Sequence, residues 1–173
     1  MSETSRTSSY DGTGPNAEAA KAKPLKALLL RVGTMDRIAL GEVMEIRTTQ
    51  SAAAALEALT SYPASVLVAD TSTSDFETKA LLRDLRDPVN SPRKGLAVIC
   101  LLGESSPERV RGLVKAGVDH VMIKPISATA LHDLAQHLRD NPMQQISVAQ
   151  YNGPDRRRLP DDSYTGAKRR GDE

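Results

Sequence analysis

Residues 151–173 read YNGPDRRRLPDDSYTGAKRRGDE. Placing Tyr151 over Tyr164 superposes Gly153 on Gly166, Arg156 on Arg169 and Arg157 on Arg170, a tandem Y-x-G-x-x-R-R repeat with a period of 13. These residue types suit a guanine nucleotide. An arginine offers a planar fork that bonds guanine O6 and N7 together, or stacks on a base, and a tyrosine supplies a second flat surface. Glycine permits close backbone approach, and Pro154 stiffens the entry to Arg156, Arg157 and Arg158. Asp155, Asp161, Asp162 and Asp172 are placed to orient guanidinium groups or to accept from the guanine N1 and N2 edge. They also keep the segment from being a polycation: it holds six Lys/Arg against five Asp/Glu. A doubled site implies a doubled ligand, and cyclic di-GMP, with two guanines and two phosphates, is the ligand expected.

A second constellation is Asp70, which closes the apolar run SVLVAD, and Lys124-Pro125, which closes HVMIKP. The elements that must position it alternate. KALLLRV, VMEIRT, SVLVAD, LAVICLL and HVMIK read as strands; SAAAALEALTSY, FETKALLRDLR, PERVRGLVKAG and TALHDLAQHLRD read as helices. Only a short helix fits between the first two strands, over 33–42. Ser106-Pro107-Glu108 is a helix start and Ala116-Gly117 a helix stop. Continuous apolar strands alternating with helices predict an α/β fold, a doubly wound parallel sheet of flavodoxin-like (βα)5 type. Ligand sites in such sheets lie beyond the strand C-termini, where Asp70 and Lys124 fall. Three segments are expected: a disordered N-terminal arm at 1–23, poor in large apolar side chains, a domain at 24–142, and an arginine-rich tail at 143–173, where apolar periodicity stops at Gln144.

Asp70, the A-G-x6-K-P pattern from Ala116 to Pro125, and Thr34-Met35 with Arg37-Ile38 resemble the CheY-like receiver domains of response regulators, over about residues 24–140. The resemblance implies a phosphoacceptor at Asp70 and a phosphate-contacting lysine at Lys124. The sequence departs from the family where Leu30 and Arg31 align with its metal-binding acidic pair, Leu102 with its hydroxyl residue and Val121 with its aromatic switch residue. Mg²⁺ takes oxygen ligands, and phosphoryl transfer relies on a metal to neutralise charge. Arg31 in place of a carboxylate is therefore expected to repel the ion and to offer Asp70 a salt bridge. The site reads as degenerate, with Asp70 and Lys124 retained as a structural ion pair and no metal site.

With its tail, the chain resembles the Cle group of CheY-like cyclic di-GMP effectors. That resemblance implies a nucleotide-binding extension, a receiver surface that docks on the flagellar motor switch, no catalytic residues, and a cytoplasmic protein recruited to the motor. The ligand set carried over is Tyr151, Gly153, Pro154, Asp155, Arg156, Arg157, Arg158, Tyr164, Gly166, Arg169 and Arg170. The second copy differs by Ala167 for Pro154, Lys168 for Asp155 and Gly171 for Arg158. The competing readings are a phosphorylatable regulator served by a signalling kinase, a ligand-independent adaptor, a solvated charged terminus, and an RNA- or protein-binding segment that folds on its partner. Arg156-Arg157-Arg158 followed by D-x-S-x-x-G also imitates PilZ signatures, but too little chain follows Asp161 for that barrel.

Composition narrows the remainder. A net charge of +1 over 173 residues gives no field for coating DNA. The single cysteine, Cys100, excludes an internal disulfide and fits a reducing compartment. No apolar run approaches the ~20 residues of a membrane span, and no secretory signal is visible at the N-terminus. His132 and His137 lie five apart, off a shared helical face, so a metal pair is not expected; His120 reads as structural. No phosphate loop, nucleophile elbow or H-E-x-x-H occurs.

Overall fold

The computed structural model describes residues 24–156 apart from positions 94, 105 and 149. The N-terminal arm and Arg157, Arg158, Tyr164, Gly166, Arg169 and Arg170 lie outside the described residues. Five strands, β1 (Lys26–Leu30), β2 (Glu45–Thr49), β3 (Val66–Asp70), β4 (Ala97–Leu102) and β5 (His120–Ile123), form a parallel sheet ordered β2-β1-β3-β4-β5. They alternate with α1 (Thr34–Gly41), α2 (Ala52–Ser61), α3 (Phe76–Leu85), α4 (Pro107–Lys115) and α5 (Ala128–Asp140). This is the flavodoxin-like (βα)5 arrangement expected, and the short segment after β1 is helical.

The alternation of side chains along each strand divides the core in two. Leu28, Leu30, Leu67, Val98, Cys100 and Leu102 pack with α2, α3 and α4 through Leu59, Leu81, Leu82, Leu85 and Leu113. Leu29, Val66, Val68, Ile99 and Leu101 pack on the other face with Leu40 of α1 and Leu131, Ala135 and Leu138 of α5. Because β1, β3 and β4 are covered on both sides, both phases of each strand are apolar.

Helix ends follow local chemistry. The hydroxyls of Ser51, Ser106 and Ser127 accept from Ala54, Arg109 and Ala130, capping α2, α4 and α5. The end of α4 is a Schellman turn: Gly117 N donates to Val114 O (3.1 Å) and Val118 N to Leu113 O (3.2 Å), with Gly117 at φ 94°.

Strand structure also occurs beyond Gln144, within the segment read as an arginine-rich tail at 143–173. Gln145–Val148 (β6) and Tyr151–Pro154 (β7) form an antiparallel hairpin with Val148 opposite Tyr151. A two-stranded hairpin is marginal alone. Asp155 N donates to Gln144 O (2.7 Å) and extends the hairpin's own ladder, while Gly153 packed directly against Gly117 seats the hairpin on the core.

Candidate functional site

Asp70 ends β3 and Lys124 follows β5, so both stand at the carboxyl edge of the sheet, beside the switch between β1 and β3. The Lys124 ammonium donates to Asp70 Oδ2 and lies 2.8 Å from Asp36 Oδ2. Ser72 N donates to Asp70 Oδ1 at 2.9 Å. Burial pushes the Asp70 carboxyl up, but the hydrogen bonds from Lys124 and Ser72 outweigh it and hold the group below its ordinary value. Burial likewise pulls Lys124 down, and Asp36 and Asp70 together carry it above its ordinary value. The retained Asp70–Lys124 pair is thus present, joined by Asp36, which the sequence reading did not single out. Asp36 sits in the first turn of α1, and its role was hidden because that helix was too short to place from periodicity.

Arg31 does not bridge to Asp70, contrary to expectation. Its backbone takes φ 59°, and its guanidinium donates to Glu77 Oε2 of α3 at 3.1 Å. That left-handed turn directs the side chain toward α3 and leaves Asp70 to Lys124. The donor set does not fit Mg²⁺. Leu30 and Arg31 offer no carboxylate, an ammonium bridges the two acids present, and no cluster of three acidic, histidine or cysteine residues occurs among the described residues. Leu102 is fully buried and Val121 packs against the core. Cys100 is inert: burial first, then the charges of Asp119 and Asp75, push its thiol up to about 12.

The first copy of the tyrosine–arginine repeat lies at the opposite edge of the sheet. Tyr151, Gly153 and Pro154 belong to β7, and Asp155 and Arg156 follow it. The Tyr151 hydroxyl donates to Pro154 O at 2.9 Å. A Cβ on Gly153 would fall 2.7 Å from Tyr151 Oη and 2.8 Å from Gly117 Cα, so only glycine fits. Packing therefore accounts in part for Tyr151. Arg156 Nη2 donates to the carbonyls of Val118 and Asp119, tying the chain after β7 to the entry of β5.

Beneath this contact lies a buried ion pair. Arg86 Nη2 meets Asp119 Oδ2 at 2.5 Å, with both side chains under 5% exposed. Arg86 also donates to Gly117 O (3.0 Å) and Leu96 O (2.9 Å), and Asp119 accepts from Val98 N (2.6 Å). Every polar atom of this cluster that the fold turns inward finds a partner, which is what makes a buried pair tolerable. Two clefts of about 500 Å³ each open around the hairpin and share Tyr151 and Lys115. One is apolar, between Val110 and Val114 of α4 and Ile146 and Pro154 of the hairpin, with Asp155 and Arg156 at its rim. The other is cationic and runs between α3, α4 and the hairpin turn.

No family model and no curated protein matches the chain at the sequence level. Solved structures do match. A CheY-like response regulator receiver domain protein from Methanospirillum hungatei JF-1 superposes with a TM-score of 0.55 at 20% identity, over 68% of this chain and 95% of that one. The fold is that of a CheY-like receiver domain. The chemotaxis response regulator CheY4 of Vibrio cholerae gives 0.56 at 18% identity, over 66% of this chain and 98% of its own. A receiver domain of a Pseudomonas aeruginosa PAO1 sensor histidine kinase, which holds a magnesium ion in its active-site cleft, gives 0.55 at 14% identity over 68% and 98%. The receiver fold thus takes up about two thirds of the chain. No helix among the described residues is long and apolar enough to cross a membrane.

Proposed function

We propose that this chain is a noncatalytic cyclic di-GMP effector, in which a receiver-type core presents a docking surface to a protein partner and the arginine-rich C-terminal segment holds the nucleotide. The observation that carries the reading is the seating of Tyr151–Arg156. The first repeat copy is fastened to the core by Gly153 against Gly117 and by Arg156 on the Val118 and Asp119 carbonyls. An incidental solvated terminus has no need of such a fastening. The flanking clefts suit the chemistry: an apolar slot for a purine face with Arg156 and Asp155 at its rim, and a cationic one beside it.

The resemblance to the Cle group makes the flagellar motor switch the partner proposed and the cytoplasm the compartment. The rival in which Asp70 is phosphorylated by a kinase has weaker support, because Leu30 and Arg31 supply no carboxylate for a metal and Lys124 already bridges Asp70 and Asp36. Titration calorimetry of the full chain with cyclic di-GMP tests the reading. Saturable heat is expected, and Arg157→Gln with Arg158→Gln weakens binding by at least about fivefold, the low end of a lost bidentate guanine contact. An absence of heat with the full chain refutes it.

A further inference from the structure

The cationic cleft lies between the core and the hairpin, and among the described residues none of the repeat's arginines lines it. Its lining includes Lys79 and Arg83 of α3, Lys115 of α4, and Gln150, Tyr151 and Asn152 of the hairpin. No carboxylate lines it. Lys79 is held by Asp75 at 2.5 Å. Arg83 and Lys115 are both exposed and have no ion-pair partner among the described residues, so two positive charges face one cavity uncompensated. Such charges repel one another, and an anion seated between them would relieve the repulsion.

Gly112 shapes the floor. It sits inside α4, where glycine is less favourable than alanine. A Cβ there would come within 2.8 Å of Lys79 Nζ. The Lys79 ammonium lies against α4 at this position. The amides of Gln150 and Asn152 add hydrogen-bonding groups on the hairpin side.

We infer that this cleft is a phosphate subsite, which receives a phosphodiester of the nucleotide through Arg83 and Lys115 while the repeat engages the bases. The inference rests on the cyclic di-GMP reading above and makes the ligand a bridge between core and tail. The shared residues Tyr151 and Lys115 place this subsite next to the apolar slot, as a nucleotide's adjoining base and phosphate require.

Calorimetry on the full chain decides it, with wild type, the double variant Arg83→Gln/Lys115→Gln, and the tail variant Arg169→Gln/Arg170→Gln, each at low and moderate salt. The core variant should unfold at the wild-type temperature, since both side chains are exposed. It should bind cyclic di-GMP about 5–20-fold more weakly, with a shallower salt dependence, because phosphate contacts carry the ionic term. Inorganic pyrophosphate should compete with the nucleotide in wild type and less in the core variant. Wild-type affinity in the core variant, with the tail variant impaired, overturns the subsite and leaves the nucleotide reading standing. No binding by wild type overturns both.

Discussion

At the scale of single residues, two ion pairs with different surroundings divide the work. Lys124 serves Asp70 and Asp36 at one edge of the sheet, partly in contact with solvent. Asp70 is held below its ordinary value, so its contribution to stability is present above the unfolded carboxylate pKa of ~3.9 and is lost as pH falls through the lower folded value. Lys124 is raised, so its contribution is present below ~10.4 and is lost as pH climbs through the higher folded value. Asp70→Asn should therefore cost about 1–2 kcal/mol in urea unfolding across neutral pH, modest because Asp36 still partners Lys124, and the deficit should shrink below about pH 4. Millimolar Mg²⁺ should leave the thermal unfolding midpoint unchanged, since the ammonium already neutralises the acids a metal would need; a rise of several degrees would show that the metal site persists. Arg86 is the harsher case. Arg86→Met strands the Asp119 carboxylate inside the protein, and a loss of about 3–5 kcal/mol is expected on chemical denaturation.

At the scale of elements, the hairpin is the piece to probe. Gly153→Ala forces a methyl group into Gly117 and the Tyr151 ring, and a well-packed contact of this kind costs about 1–3 kcal/mol when overfilled. The main effect should be local: hydrogen-exchange protection of the Ile146 and Val148 amides, which the antiparallel register places in the hairpin ladder, falls while that of Val68 and Ile99, in the central strands, is kept. Equal protection in both would mean that the glycine contact does not hold the hairpin. The five βα units were legible because their strands are unbroken apolar runs and their helices carry caps, as at Ser106-Pro107. The hairpin was not, because Gln145–Val148 and Tyr151–Pro154 are four residues each and carry few large apolar side chains. Their order comes from a glycine–glycine contact across some 36 positions, which local pattern does not record. Asp70 and Lys124 were legible from spacing. The partner of Arg31 was not, because a positive φ at a non-glycine residue turned its side chain toward Glu77.

At the scale of the whole molecule, the two edges of the sheet differ in what they carry. At the carboxyl edge Lys124 bridges Asp70 and Asp36. The opposite edge carries the hairpin, the first repeat copy and the two clefts. Under the proposed function, nucleotide held beside the hairpin would change the surface next to α4 without disturbing the Asp70 edge. An amide-resolved NMR titration of the full chain with cyclic di-GMP tests this most directly. The account predicts saturable shifts at Tyr151, Asn152 and Gly153 and at Lys115 in α4, with Asp70 and Ser72 unmoved. Shifts confined to Asp70 and its neighbours, or no shifts at all, would contradict it.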